Sequence, residues 1–435
     1  MTRADWVVEK GGTQMELKEL VASDGGWINP RIFSDEELYR AEQRAVFGHS
    51  WLFVGHLSQL PEPGSFLRVW MGEESVLVTR DRSGALRAHL NACRHRGFQV
   101  CQEDRGHASR FQCRYHGWVY GSDGALIGVP GEDTIYYGEV DKKAWGLIPV
   151  RVEVYKGLIF GCFDNDAPAL VEWLGDMAWY LDILLDRREG GTELLGPHRW
   201  RIKANWKVVA ENHCGDEYHI GFAHGSNFPP DLGANRATPL PLAREIRPGL
   251  GHGLGANIYP DELAPEDWLG AAMPPYPAHV FDYLRASFDE AEKRLGRHRA
   301  RISLIHGAVW PNLGMVPVFS TLRAIHPRGV NEVEMWSYCL VDRDAPPDVK
   351  AWMVSRSTTT FGPGGSFEQD DANNWSAVTR SSFGLQARKG RLNLQMGLGH
   401  EERSDRLPGE LGLTASEINQ RGFYRRWRQE LEAAT

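Results

Sequence analysis

Two short pairs of cysteine and histidine constrain the fold of this chain more than any other feature. The pairs, Cys93-Arg94-His95 and Cys113-Arg114-Tyr115-His116, are separated by 17 residues, and each lies close to the end of a strand-like run. Thiolates and imidazoles act as metal ligands only when they converge on one point. The two pairs therefore predict two short loops, within a compact β unit, that could bring all four side chains together.

The ligand order Cys, His, Cys, His is compatible with two kinds of metal site. A zinc ion takes two thiolates and two imidazoles in a tetrahedron. A two-iron cluster takes the same set when histidines replace the cysteines on one iron, which raises the reduction potential. Gly97 after the first pair and Gly117-Trp118 after the second put small residues and an aromatic wall around the ligands. Such surroundings suit a cluster that is shielded from water.

A second candidate site lies in residues 205–224, which read NWKVVAENHCGDEYHIGFAH. Asp216 and His219 are three residues apart, so on a helix they point to one face, and His224 follows a predicted helix end at Gly221. Two imidazoles can therefore meet at one point. Two histidines and one carboxylate on one face of a metal are typical of ferrous sites that bind oxygen beside a substrate.

The sequence offers three candidates for the carboxylate of this second site. Glu211 and Asp216 lie within the stretch itself, and Asp370 and Asp371 stand together in the distant segment FEQDDANNW. Spacing alone does not choose among them. The histidines of the stretch are also compatible with ordinary helix and loop positions.

Composition limits the class of protein. A chain of 435 residues predicts two domains, or one large domain with an insertion. The formal net charge of −8 argues against nucleic acid or an anionic membrane as the main partner. No apolar run reaches the roughly 18 residues that span a bilayer, and the first residues resemble no signal peptide. Six cysteines in so long a chain fit a reducing compartment, so we expect a cytoplasmic protein.

Local patterns predict the order of elements. Residues 34–47 (SDEELYRAEQRAVF) predict a helix with Ser34 as its N-cap. Short alternating runs between glycine turns predict an all-β unit over about 50–165, and mixed helices and strands follow it. Residues 225–256 are rich in glycine and proline without a period, which predicts an irregular segment placed to cover a pocket.

The motifs together resemble a known family. CRHRG followed by CRYHGW resembles the Rieske motif, and its position before NWK, EN and D-x-x-H-x4-H is similar to the α subunits of Rieske non-haem iron aromatic-ring-hydroxylating dioxygenases. The resemblance extends to FGPGGSFEQDDANNW and covers nearly the whole chain. It implies an α+β fold of helix-grip type. An all-β Rieske [2Fe-2S] domain (50–165) would be inserted in a catalytic domain (1–49 and 166–435) whose curved antiparallel sheet is wrapped by helices.

The resemblance also assigns roles to residues. The implied cluster ligands are Cys93, His95, Cys113 and His116. The implied ligands of a mononuclear Fe(II) are His219, His224 and Asp371. Asp216 would bridge a histidine of that site to His116 of a neighbouring subunit, and Asn212 would lie near the iron without binding it. For Asp370 we expect a structural role in opening its helix, and for Glu211 a position near the site.

The family also implies partners. Electrons pass between chains in trimers, so we expect α3β3 with a small β subunit, or α3. No G-x-G-x-x-G follows a strand and opens a helix in this sequence, so NADH must be oxidised elsewhere. A ferredoxin and an NADH-dependent reductase are the implied electron donors.

The resemblance predicts the reaction and part of the substrate pocket. The expected activity is dihydroxylation of an aromatic ring by O2 to a cis-dihydrodiol, with a Rieske-type monooxygenase or demethylase acting on an aromatic acid as the alternative. The expected pocket residues are Phe222, His306, Val316, Phe361 and Phe367. His306 is the polar member and would bind a hydroxyl or carboxylate. Arg301 and Arg323, expected at the surface, would be available if the substrate were an acid.

Overall fold

The computed structural model describes residues 17–227, 242–270 and 275–434. Phe47–Leu170 forms one compact unit, and the described residues before Phe47 and after Leu170 form a second. The limits of the all-β domain at residues 50 and 165 remain a prediction from the sequence. Among the described residues, no helix is long and apolar enough to cross a membrane.

The N-terminal segment contributes β1 (Trp27–Ile28) and α1 (Glu36–Ala45) to the second unit. The prediction of Ser34 as the N-cap is wrong, because Asp35 caps α1. Its carboxylate accepts the backbone N–H groups of Glu37 and Leu38 at 3.1 and 3.3 Å. The hydroxyl of Ser34 is buried and instead donates to the carbonyl of Ser382. A tertiary contact thus decided which of two adjacent N-cap residue types serves the helix.

The first unit is all β, as the alternating runs predict. Its strands are β2 (Leu52–His56), β3 (Ser65–Met71), β4 (Glu74–Arg80), β5 (Leu86–Leu90), β6 (Arg105–His107), β7 (Arg110–Gln112), β8 (Val119–Gly121), β9 (Leu126–Gly128), β10 (Pro149–Tyr155) and β11 (Leu158–Cys162). Seven of them form an antiparallel sheet in the order β2-β11-β10-β5-β4-β3-β6, and the others form the sheet β7-β8-β9. The two Cys-His pairs follow β5 and β7, so both lie in loops.

The second unit contains a nine-stranded antiparallel sheet. Its strands are β12 (Thr192–Ile202), β13 (Ala243–Gly249), β14 (His252–Ile258), β15 (Ile302–Val309), β16 (Leu313–Val316), β17 (Thr321–Pro327), β18 (Val333–Asp342), β20 (Glu402–Ser404) and β21 (Leu407–Leu413), while β19 (Leu392–Asn393) pairs with β1. The order is β12-β18-β17-β16-β15-β14-β13-β21-β20. All pairings within it are antiparallel, so this part is α+β.

Helices surround this sheet. They are α2 (Leu170–Leu174), α3 (Met177–Leu185), α4 (Trp206–Gly215), α5 (Glu217–Ala223), α6 (Pro265–Gly270), α7 (Ala278–Leu295), α8 (Arg297–Ala300), α9 (Pro347–Phe361), α10 (Glu368–Ser382) and α11 (Ile418–Ala433). Helix α4 lies against β14, β15 and β16 and also packs against α11. One face of the sheet therefore supports the segment that carries the histidines.

The irregular segment predicted for 225–256 is wrong over its second half. Strands β13 and β14 occupy much of it and pair as a hairpin, and residues 228–241 lie outside the described residues. Strand β14 is rich in glycine because its neighbours leave no room for side chains. A Cβ on Gly253 would collide with the thiol of Cys214, and one on Gly255 would collide with the ring of His306. Close packing thus explains the glycine-rich sequence from which an irregular segment was predicted.

Candidate metal centres and substrate cavity

The two loops with Cys-His pairs have the same backbone geometry. In each, the cysteine N–H donates to the carbonyl five residues later, and the cysteine carbonyl accepts the N–H of the glycine four residues later. These bonds are Cys93 to Phe98 (2.8 Å), Gly97 to Cys93 (2.8 Å), Cys113 to Trp118 (2.8 Å) and Gly117 to Cys113 (2.9 Å). Both glycines have φ of +75°, a left-handed conformation that favours glycine. The glycines after the pairs are therefore turn residues that aim the ligands.

The loops bring the four side chains together. The thiols of Cys93 and Cys113 are buried and in contact with each other, and the rings of His95 and His116 are 4.5 Å apart at their centroids. The Nδ1 atom of His95 is buried and has no hydrogen-bond partner within the described part of the chain. Trp118 stacks on the same ring at 5.2 Å. Two thiols, two imidazoles and a buried ring nitrogen without a partner fit the ligand set of a two-iron cluster with mixed ligation.

In the second unit, three ligand atoms meet at one point. The Nε2 atoms of His219 and His224 are 3.1 Å apart, and the Oδ1 atom of Asp371 lies 3.2 and 3.1 Å from them. All three atoms lie within 4.8 Å of one another. The Oδ1 atom of Asp371 is buried and lacks a hydrogen-bond partner of good geometry. This donor set fits a cation bound by two histidines and one carboxylate.

The local path of the chain differs from the predicted helix. Helix α4 ends at Gly215, Asp216 breaks the chain direction, and α5 runs from Glu217 to Ala223, so the helix end predicted at Gly221 is wrong. His224 is the C-cap of α5, which confirms that it lies past a helix end. Because Asp216 is between two helices, its contact with His219 does not come from helical spacing.

A ring of polar groups orients the two histidines. The Nδ1 atom of His219 contacts the backbone carbonyl of Asp216 and lies 3.4 Å from its carboxylate. Asn212 donates to that carboxylate at 3.1 Å. On the other histidine, the Nδ1 atom of His224 is 3.1 Å from the Oδ2 atom of Asp370. Acceptors at Nδ1 leave both Nε2 atoms as lone-pair donors towards the convergence point.

The contact between Asp370 and His224 was missed by the sequence, which predicted only a helix-opening role for Asp370. A signal was available, because a histidine that binds metal usually donates its other ring N–H to a carboxylate or carbonyl. Burial by itself would raise the pKa of Asp371, but the close contacts with the imidazoles of His219 and His224 hold that pKa below the usual value. Asp371 is thus anionic. For Glu211, burial and the charges of Asp216 and Glu417 raise the pKa well above the usual value.

A cavity of about 420 Å³ opens beside these three atoms. Four of the five predicted pocket residues line it: His306, Val316, Phe361 and Phe367. Phe367 meets the ring of His224 edge-on at 4.8 Å, and Phe361 stacks on Phe367 at 5.4 Å. Phe222 is absent from the described lining and is 54% exposed, so its assignment to the pocket is corrected. It lies one residue before the end of α5, facing outward beside Tyr218.

His306 contacts protein groups with both ring nitrogens. Its Nδ1 atom is 3.1 Å from the carbonyl of His213, and its Nε2 atom is 3.4 Å from Glu245 and 3.5 Å from Glu217. Burial lowers the pKa of His306, but Glu245 and Glu217 together raise it to about 10. His306 therefore shapes the cavity wall, and the prediction that it binds a substrate hydroxyl or carboxylate is not supported by this geometry.

The expectation that Arg301 and Arg323 lie at the surface is wrong. Arg301 is buried and pairs with Glu292 at 3.0 Å. Arg323 is fully buried, pairs with Glu368 and donates to the carbonyl of Phe361. Both arginine side chains are buried and their guanidinium groups contact protein groups, which the sequence pattern alone could not predict.

Comparisons with known proteins agree with this architecture. The ring hydroxylating alpha subunit (catalytic domain) family matches residues 170–433, and the Rieske [2Fe-2S] domain family matches residues 50–150. The chain belongs to the ring-hydroxylating dioxygenase α-subunit family. A biphenyl dioxygenase α subunit from Metapseudomonas furukawaii is 38% identical over 95% of this chain and 93% of its own. A benzene 1,2-dioxygenase α subunit from Pseudomonas putida is 38% identical over 97% and 94%.

A solved structure of naphthalene 1,2-dioxygenase with indole in the active site matches this dioxygenase α subunit with a TM-score of 0.87. The two are 35% identical, and the match covers 96% of this chain and 95% of that chain. The fold prediction is thereby confirmed: a Rieske domain joins a catalytic domain with a curved antiparallel sheet. Membership of the family also decides against zinc, because a Rieske [2Fe-2S] cluster and a mononuclear iron are the cofactors of these enzymes.

Proposed function

We propose that the convergence of His219, His224 and Asp371 beside the cavity is the mononuclear iron site of a terminal oxygenase. This convergence is the observation that carries the assignment, since it places three ligand atoms within 4.8 Å and leaves the cavity side open. For the Rieske cluster we assign Cys93, His95, Cys113 and His116, within a domain of residues 50–165. The remainder, 1–49 and 166–435, is the proposed catalytic domain.

Each protein group has a defined task in this reaction. When bound, the cluster supplies single electrons and the ferrous ion supplies the position where oxygen is activated. The carboxylates of Asp216 and Asp370 accept from the Nδ1 atoms of His219 and His224 and so fix the tautomers of these rings. Phe361 and Phe367 hold an aromatic ring by flat apolar contact and exclude water from the reacting face. The overall change adds both atoms of O2, two electrons and two protons to an arene and yields a cis-dihydrodiol.

Asp216 is the proposed link between the two metal centres. Its carboxylate lies 3.4 Å from the Nδ1 atom of His219 and accepts a hydrogen bond from Asn212, so it is held at the site without being a ligand. We infer that it also accepts the imidazole N–H of the partner subunit's His116. This role requires a trimer, α3 or α3β3 with a small β subunit, and a ferredoxin and NADH-dependent reductase as donors.

The cavity and the relatives support an aromatic hydrocarbon as the substrate. The relatives act on biphenyl, benzene and naphthalene, which are hydrocarbons of one or two rings. A cavity of about 420 Å³ with phenylalanine walls next to the metal site lies within the usual range of small-molecule pockets.

We also infer a reducing, cytoplasmic setting, because none of the six cysteines forms a disulfide.

The test combines product analysis with metal analysis. The α subunit, with any β subunit it requires, is supplied with a surrogate ferredoxin and reductase, biphenyl and ¹⁸O2. A dihydrodiol carrying two ¹⁸O atoms from one O2 molecule supports the proposal, and a phenol carrying a single ¹⁸O atom supports the alternative of a monooxygenase. A protein that contains zinc, and neither iron nor acid-labile sulfide, would contradict the cofactor assignment.

A further inference from the structure

A buried histidine of the cavity wall lies between two carboxylates that belong to different elements. The Nε2 atom of His306, on β15, is 3.4 Å from the Oε1 atom of Glu245 on β13 and 3.5 Å from the Oε1 atom of Glu217 on α5. All three atoms are buried. Although burial lowers the pKa of His306, the two carboxylates together raise it to about 10, so the ring is a cation at neutral pH.

The other nitrogen of this ring joins the cation to the end of α4. The Nδ1 atom of His306 is 3.1 Å from the carbonyl oxygen of His213, in the last turn of that helix. Carbonyl groups in the last turn lack helical N–H partners and favour a nearby positive charge. Gln420, on α11, donates to the carbonyl of Gly215 at 2.7 Å. Side chains from β15 and α11 thus satisfy the carbonyl end of α4.

His306 therefore contacts both sides of the break between α4 and α5. His213 precedes Asp216 by three residues, and Glu217 follows Asp216 directly as the first residue of α5. His219 lies two residues further along the same helix. A cation that holds the last turn of one helix and the first residue of the next restricts the angle between the helices. It thereby restricts the positions of Asp216 and His219.

We propose that His306 is a positioning residue of this oxygenase, and that its positive charge, held between Glu217 and Glu245, fixes the junction of α4 and α5 at the metal site. The inference rests on the proposed function of the same site. Without the cation, two carboxylates would share a buried space with no compensating charge, which is costly. Glu245 is fully buried and accepts a hydrogen bond from Asn419 at 2.6 Å. Glu217, on the short helix α5, is therefore the group that would move, and His219 would move with it.

The first experiment separates positioning from substrate binding by the kinetic constants. His306→Gln removes the charge and is assayed as the purified oxygenase with its cofactors, biphenyl, ferredoxin and reductase. We expect kcat to fall on the order of hundredfold, because small displacements of reacting groups cost about that much. KM for biphenyl should stay within about threefold, because uniform substrate binding is unaffected. The dissociation constant of the mononuclear iron should rise about tenfold, as it does when support of a ligand histidine is lost.

A second pair of variants tests the electrostatic part of the argument. Glu217→Gln alone removes one partner of the cation and should lower kcat by roughly threefold to tenfold. In the His306→Gln background the same change removes one of two facing carboxylates, so His306→Gln/Glu217→Gln should have a kcat about tenfold above that of His306→Gln. One substitution would then act in opposite directions in the two backgrounds. A merely structural role of His306 does not produce this reversal.

His252→Gln is the matched control, because His252 is a buried histidine on β14 whose ring contacts backbone groups of Trp173 and Trp310. It should keep the kcat, KM and iron binding of the wild type even where it lowers the Tm. If His306→Gln does not fold, Glu217→Gln decides: a lower kcat at unchanged KM supports the inference, and a wild-type kcat overturns it.

Three results would overturn the inference where His306→Gln folds. They are an unchanged kcat, a raised KM with little loss of kcat, and a double variant that regains no activity. Failure of the proposed function would appear separately, as absence of ¹⁸O2 incorporation into biphenyl by the wild type.

Discussion

Replacement of Arg323 by methionine should destabilise the catalytic unit and weaken its iron site together. Arg323 is fully buried, and its Nη2 atom contacts both the carboxylate of Glu368 and the carbonyl of Phe361, the latter at 2.9 Å. Its Nη1 atom is 3.3 Å from the ring of His213. One guanidinium thus ties the last residue of α9 to the first turn of α10, and Asp371 is carried by that same turn.

The expected cost is that of a buried ion pair that loses one partner, about 3–5 kcal/mol. Glu368 keeps one hydrogen bond, from the indole N–H of Trp200 at 3.1 Å. Burial raises the pKa of Glu368 to about 7 even with Arg323 beside it. Without Arg323 this pKa rises further above the unfolded value near 4.5. The contribution of the Glu368 carboxyl to the free energy of unfolding is then present at low pH and is lost as the pH rises through the folded pKa. The deficit of Arg323→Met should therefore be larger at pH 8 than at pH 6.

Thermal unfolding and iron content provide the assay. At roughly 2 °C per kcal/mol for a large domain, Arg323→Met should lower the Tm of the catalytic unit by about 6–10 °C. Iron analysis should show loss of mononuclear iron, while the cluster spectrum remains. The double variant Arg323→Met/Glu368→Leu should cost less than the sum of the single variants. A shift below about 2 °C, or strictly additive single variants, would refute the reasoning.

Three further predictions concern single residues. Asp371→Ala should abolish mononuclear iron while the cluster colour persists, whereas Asp370→Ala should weaken iron binding only about tenfold to hundredfold, as loss of a partner to a ligand histidine does; the reverse pattern in iron analysis would make Asp370 the ligand. Asp216→Asn should keep its cluster spectrum and most of its iron but nearly lose turnover, because an NH2 group would then face imidazole N–H groups; near-normal product formation would contradict the bridging role. Burial lowers the pKa of His252 to about 4, so the unfolded chain binds the extra proton between about pH 6.5 and 4, and about 3 kcal/mol of stability, complete above pH 6.5, should be lost as pH falls through that window. His252→Gln should flatten this dependence in acid unfolding, and an unchanged slope would count against it.

Much of the chemistry of this chain is encoded locally. The two Cys-His pairs and their glycines lie within single loops, and a loop geometry that needs φ near +75° leaves its mark as glycine at that position. The alternating runs of the first unit and the strands after residue 300 also appear in the sequence, because side chains of a half-buried strand alternate between faces. His219 and His224 are close in the chain, so their convergence required only one helix end.

Other features depend on residues that are distant in sequence. Asp370 lies 146 positions from His224, and no local pattern distinguishes a ligand carboxylate from its neighbour one position away. Burial of Arg323 and exposure of Phe222 reverse what residue type predicts, because each depends on which element packs against it. The glycines of β14 follow from the approach of Cys214 and His306.

The sequence by itself therefore indicated the family, an all-β unit followed by mixed helices and strands, and the cysteines and histidines proposed as cofactor ligands, since these depend on short motifs and local patterns. Spacing could not choose among the candidate carboxylates, and the tertiary structure shows that Asp371 meets the two histidines and which groups orient them. The physical reason is that these properties are set by distances between side chains on α4, α5, α9 and α10. Such distances exist only after the nine-stranded sheet has brought those helices together.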